Sequence, residues 1–84
     1  MGKRGAKQSE EFGRRVRACR KELGLSQEGL AEAAGLHRTY IGHLERGEVN
    51  PSLLNILKVA GALTVDASEL VQGLSGTLRN PRTA

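Results

Sequence analysis

An all-α fold of five short helices is predicted by three features of the sequence. Apolar residues recur at three- and four-residue spacing, and no stretch alternates with the two-residue period of a strand. Residues suited to opening a helix and glycines suited to closing one fall at the ends of those apolar segments. Aromatic side chains are confined to Phe12 and Tyr40, so the core must be built from Leu, Ile, Val and Ala. With 84 residues the chain has room for one domain. A domain this small buries only about 60% of its unfolded surface, which favours a stabilising self-interface and argues against an enclosed active-site cleft.

The first eight residues, MGKRGAKQ, carry positive charge without periodicity and read as a flexible basic arm. Ser9, followed by Glu10 and Glu11, is the expected start of the first helix, with acids at the positive end of its dipole. Phe12, Val16, Cys19 and Leu23 form its inner stripe and Gly24 its stop; Arg14, Arg15, Arg17 and Lys21 lie outside. Ser26 opens a second helix whose inner residues are Leu30, Ala31 and Ala34, and Gly35 closes it. Leu36 anchors a tight turn into a third helix, about Arg38 to Arg46, held from beneath by Ile41 and Leu44 and stopped at Gly47. After the loop Glu48 to Pro51, Ser52 caps a fourth helix with Leu53, Ile56, Leu57, Ala60 and Leu63 on one inner face. Asp66 caps a fifth, ending near Gln72. The folded unit is thus read as 9–74, between the arm 1–8 and a polar tail 75–84 that is expected to fray.

The charge pattern points to a polyanion. The formal net charge is +4, and between Lys3 and Lys21 eight basic residues face only Glu10 and Glu11. Such a face concentrates and steers anionic partners, although a solvated surface has the same composition. The arm pair Lys3–Arg4 is placed to reach along a groove of nucleic acid. Cys19 is the only cysteine, which rules out an internal disulfide and suits a cytoplasmic setting. No apolar run approaches the ~20 residues of a membrane span, and the basic start lacks the apolar stretch of a secretory signal. Catalysis is not expected. Cys19 sits on an apolar stripe, where a free thiol behaves as a small hydrophobe. His37 and His43 have no cysteine near them, so no zinc spacing is present, and no metal, cofactor or small-molecule ligand is implied.

Two short helices joined at Gly35, with Ala31 and Ala34 where they must approach, make a helix-turn-helix. Gly35 takes the left-handed conformation the turn requires, which would cost a residue with a Cβ about 1 kcal/mol or more. The outer face of the third helix then holds Arg38, Thr39, Gly42 and His43, where a recognition helix keeps its reading residues. The segment Leu23 to Leu63, LGLSQEGLAEAAGLHRTYIGHLERGEVNPSLLNILKVAGAL, resembles the Cro/lambda-repressor-like (Xre-type) helix-turn-helix regulators. The resemblance rests on LSQ…LA…AGL…YI…LERG…PSL…L…A and covers all but the two tails. Within that family, LHRTYI…ERGE.NPSLLN looks like the stand-alone controller proteins of restriction–modification systems, beside phage repressors and housekeeping regulators.

The resemblance implies a sequence-specific regulator of transcription that binds double-stranded DNA. By position, Arg38, Thr39 and His43 would read bases, while Gln27, Tyr40 and Arg46 would meet phosphates. Arg20, late in the first helix, would pair with Glu45, which explains an acid in a DNA-facing element. Base chemistry supports these roles. The Arg38 fork fits guanine O6 and N7, its alternative use being a phosphate clamp, and Thr39 can bond a base edge or pack on a thymine methyl. For His43 a solvent-facing side chain without a task stands as the alternative. Tyr40 is read as a surface residue, because Ile41 takes the buried position. Arg17, on the first helix, is a phosphate candidate that positions without reading sequence. Gly29 and Gly42 depart from helix-forming chemistry; Gly42 would let the groove floor come close.

One recognition helix reads too few base pairs to select a site from a genome, so a homodimer on half-sites about one helical turn apart is expected. The family places its interface near the fifth helix, which here implies Leu63, Val65, Leu70 and Val71. The rival class is an antitoxin-type interaction module that binds DNA only to regulate itself; the tail Ser75–Ala84 is short for that purpose.

Overall fold

The computed structural model describes residues 6–78, so the basic pair Lys3–Arg4 lies outside the described residues. Five α-helices follow one another: α1 (Lys7–Glu22), α2 (Gln27–Ala34), α3 (Arg38–Glu45), α4 (Leu53–Leu63) and α5 (Ala67–Val71). A 3₁₀ helix, Leu74–Leu78, packs back on α1. No strand occurs among the described residues, and the all-α class is the one the sequence predicts.

Two caps are formed by the residues expected to form them. Ser26 Oγ accepts from the Gly29 N–H at 2.9 Å and Ser52 Oγ from the Asn55 N–H at 3.1 Å, each satisfying a donor the helix ladder cannot reach. Two others differ. The N-cap of α1 is Ala6, whose carbonyl accepts from Glu10 N–H at 3.1 Å, so Lys7 and Gln8 are helical and Ser9 sits inside the first turn. Asp66 stands at the start of α5 but binds the Ser68 hydroxyl at 2.6 Å instead of a backbone N–H. At the other end, the 3₁₀ helix carries ordered backbone beyond the expected limit at residue 74.

The core is one cluster drawn from all five helices: Phe12 and Val16 of α1, Leu30 and Ala31 of α2, Ile41 and Leu44 of α3, Val59, Ala60 and Leu63 of α4, and Leu70 of α5. Two expected inner stripes are corrected. Leu23 is exposed, because the chain leaves α1 there. In α4 the buried side runs through Val59, Ala60 and Leu63, whereas Leu53, Leu54 and Leu57 are 71%, 60% and 49% exposed. Nearly every position of LLNILKVAGAL is apolar, so its periodicity does not select a face; contact with α2 and α1 does. The same rotation alters the expected self-interface. Leu63 and Leu70 are 1% and 0% exposed within a single chain and cannot meet a second one. Val65 is half-buried against the core, and Val71 is exposed.

Several cations of α1 are committed to the fold. Glu11 binds Arg14 at 2.8 Å and Arg15 at 3.0 Å, and these bonds lower its carboxyl pKa. Arg15 also donates to the carbonyls of Leu70 (3.2 Å) and Gln72 (2.7 Å), closing the C-terminal end of α5 with positive charge. No helix among the described residues is long and apolar enough to cross a membrane.

Candidate nucleic-acid interface

The turn between α2 and α3 sets the interface. Gly35 adopts φ 72, and Leu36 N–H bonds back to the Ala31 carbonyl at 2.9 Å, so the chain reverses within a few residues. Ala31 and Ala34 are buried, and their small side chains let α2 approach α3. α3 is then capped by a residue the sequence reading missed: His37 Nδ1 accepts from the Thr39 N–H at 3.0 Å. Serine, threonine and aspartate are the usual signals for a cap, and histidine is not among them.

Arg38 and Thr39 are exposed at the first turn of α3, and His43 and Arg46 stand near its end; Ile41, Leu44 and Glu45 occupy the buried side. The residues expected to read bases therefore share a surface whose reverse is core. Gly42, expected at the open floor of that surface, is instead buried. A Cβ there would lie 3.4 Å from the Arg46 guanidinium and 3.7 Å from Gln27 Oε1, so those two side chains close over it. Tyr40 is half-buried, not superficial: its ring packs against the core and its hydroxyl accepts from Asn55 Nδ2 at 3.1 Å. That bond leaves the phenolic hydrogen available for an anionic oxygen and brings Asn55 of α4 to the same edge. Arg17 is exposed on α1, with no ion pair among the described residues.

Beneath this surface lies a buried polar network. Arg20 grips Glu45 with two parallel bonds, Nε to Oε2 at 2.6 Å and Nη2 to Oε1 at 3.0 Å, and donates a third to the Leu25 carbonyl at 2.9 Å. Gln27 Nε2 donates to Glu45 Oε1 at 3.0 Å, which turns its side chain toward α3. Both ions are buried, and no buried side-chain polar atom among the described residues lacks a partner. The Glu45 carboxylate raises the Arg20 pKa above its ordinary value. The acid thus spends its charge inward, leaving the outer face of α3 cationic. The network also joins three helices, through Arg20 of α1, Gln27 of α2 and Glu45 of α3.

Two glycines complete this positioning. Gly13, buried on α1, lies so close to the end of α3 that a Cβ would stand 2.4 Å from the Leu44 carbonyl oxygen and 2.5 Å from that of Glu45. Gly47, at φ 76, presses on α1 from the other side, where a Cβ would fall 2.6 Å from Glu10 Cα. Gly47 was legible as a helix stop; its partner carries no local signal, because a glycine inside a helix reads only as a weak helix former.

A family model described as helix-turn-helix matches residues 16–70. The chain is 48% identical over 59 residues to the immunity repressor protein of Bacillus phage phi105, covering 70% of this chain and 41% of that longer protein. Among solved structures it is similar to the restriction-modification controller protein C.AhdI from Aeromonas hydrophila, at 49% identity and a TM-score of 0.76, over 77% of this chain and 98% of that one. It is also similar to the P22 c2 repressor protein, solved in complex with a synthetic operator, at 34% identity and a TM-score of 0.69, over 74% of this chain and 94% of the other.

Proposed function

The chain belongs to the helix-turn-helix family of DNA-binding transcriptional regulators, which are not enzymes, and on that premise we propose that it binds a two-fold-symmetric operator as a homodimer, with α3 of each copy in the major groove. The carrying observation is the sidedness of α3: Arg38, Thr39, His43 and Arg46 face outward, while Ile41, Leu44 and Glu45 tie the helix to the core. Arg38 and Thr39 occupy the first turn, the part of a recognition helix that reaches base edges. Gln27, Tyr40 and Arg46 flank them as phosphate contacts, and Arg17 adds one from α1. The basic residues Lys3, Arg4 and Lys7 extend the positive field.

The second copy is placed on α4. Leu53, Leu54 and Leu57 form an exposed apolar stripe, continued by Gly61, where an added Cβ would have nothing within 4 Å. A two-fold contact along this stripe buries leucines that the monomer leaves in water, at roughly 25 cal/mol for each Å² covered. Val71 is exposed and joins the rim. The likeness to C.AhdI supports a controller role in a restriction–modification system, exercised in the cytoplasm where the DNA is.

Selection from a random duplex pool, followed by fluorescence anisotropy across a salt series, tests this reading. The expected winner is a two-fold-symmetric site with half-sites about one helical turn apart. Arg38→Ala should lose about 1–3 kcal/mol on that site with little change in non-specific binding. An equal, purely salt-governed loss on all sequences would reduce Arg38 to a phosphate clamp. Leu54→Glu should sediment as a monomer at micromolar concentration and bind one half-site weakly; persistence of the dimer would remove α4 as the interface.

A further inference from the structure

Glu48 follows α3 as an acid on a surface otherwise suited to phosphate. It folds back on that surface: Oε1 lies 2.7 Å from His43 Nδ1, and Oε2 accepts from Arg46 Nε at 3.1 Å. Arg46 Nη2 also lies 3.3 Å from the same histidine nitrogen. These contacts compete for one atom. Glu48 is ionised, because its bonds to His43 and then Arg46 lower its pKa, and a carboxylate can only accept. The hydrogen in the 2.7 Å contact therefore belongs to Nδ1. A nitrogen that donates to Glu48 has no lone pair for Arg46, so the longer contact is proximity alone.

We propose that Glu48 is a positioning residue that fixes the tautomer of His43 and thereby sets which base edge His43 reads. This rests on the reading that α3 occupies the major groove. With Nδ1–H held by Glu48, the outward nitrogen Nε2 of a neutral ring carries a lone pair and accepts from an exocyclic amine, adenine N6 or cytosine N4. With the hydrogen on Nε2 instead, that nitrogen would be a donor and match guanine O6 or N7, adenine N7 or thymine O4. The charged groups in contact with His43 are Glu48 and Arg46; from α2, the side chain lying over the neighbouring Gly42 is the uncharged amide of Gln27.

His37 provides an internal reference. Its Nδ1 accepts from the Thr39 N–H, so its proton resides on Nε2, the opposite tautomer. Nitrogen-15 NMR of the full chain at pH 8 should show one ring of each kind, and Glu48→Gln should alter His43 while leaving His37 unchanged. Site selection at pH 8 with the wild type and with Glu48→Gln supplies the functional arm. For the wild type, one position per half-site is expected to prefer an adenine or cytosine, with discrimination of about two- to tenfold from one hydrogen bond. Glu48→Gln, whose amide can donate as well as accept, should lose that preference. A His43 ring protonated on Nε2 in the wild type overturns the proposal. So does a symmetric consensus that is unchanged in Glu48→Gln, and in either case the groove reading stands. Failure to obtain any consensus overturns the groove reading and this assignment together.

Discussion

Glu45→Ala is expected to destabilise the domain by about 3–5 kcal/mol, because it leaves Arg20 charged and buried with a single carbonyl for company. Domains of this size have roughly 4–12 kcal/mol in total, so the variant should lose a large share of its stability. The loss is not the net worth of the ion pair. Two ions removed from water regain little beyond their desolvation cost, so a joint Arg20→Met and Glu45→Leu replacement, close to isosteric and apolar, should recover most of the stability. Urea denaturation followed by circular dichroism separates the three proteins. If the single and double variants lose equally, packing rather than unpaired charge governs the site. The double variant also frees Gln27, whose amide is held by Glu45 Oε1 at 3.0 Å. It should therefore fold well and bind operator less tightly, which distinguishes the network's part in stability from its part in presentation.

The helical segments were legible because they are punctuated locally. Ser26 and Ser52 cap where a hydroxyl before an apolar run says they should, and Gly35 reverses the chain where a left-handed residue is needed. The outer face of α3 was legible too, since Ile41 and Leu44 fix which side of it is inside. The Arg20–Glu45 pair was reached only through family resemblance: no periodicity relates two oppositely charged residues on separate helices. What could not be read depends on how helices pack. α4 is apolar nearly all round, so its buried side is chosen by its neighbours, and two leucines assigned to a second copy belong to the core of one. His37 as a cap and Glu48 as a histidine partner are uses of side chains that only their final distances disclose.

Gly13→Ala carries the other large expected effect, and its sign runs against helix propensity. In an exposed helix interior, alanine gains about 1 kcal/mol over glycine. At Gly13 the added methyl would stand 2.4 Å and 2.5 Å from two carbonyl oxygens of α3, and backbone cannot swing aside as a side-chain tip can. α1 must lift from the end of α3, loosening the Gly47–Glu10 contact and stretching the Arg20 bonds, for a net loss of about 2–3 kcal/mol. Gly61→Ala is the matched comparison, since nothing lies within 4 Å of its Cβ position and it should gain stability by up to about 1 kcal/mol. Because Gly61 lies on the proposed two-fold face, both substitutions are best measured by thermal denaturation in the Leu54→Glu background, where self-association does not enter the midpoint. Gly47→Ala should be at least as costly as Gly13→Ala, because φ 76 adds left-handed strain to the same contact seen from the other side. Equal effects at Gly13 and Gly61 would mean that α1 does not rest on α3 backbone to backbone. Opposite signs would mean that α3 is held at its distance from α1 by the absence of two side chains.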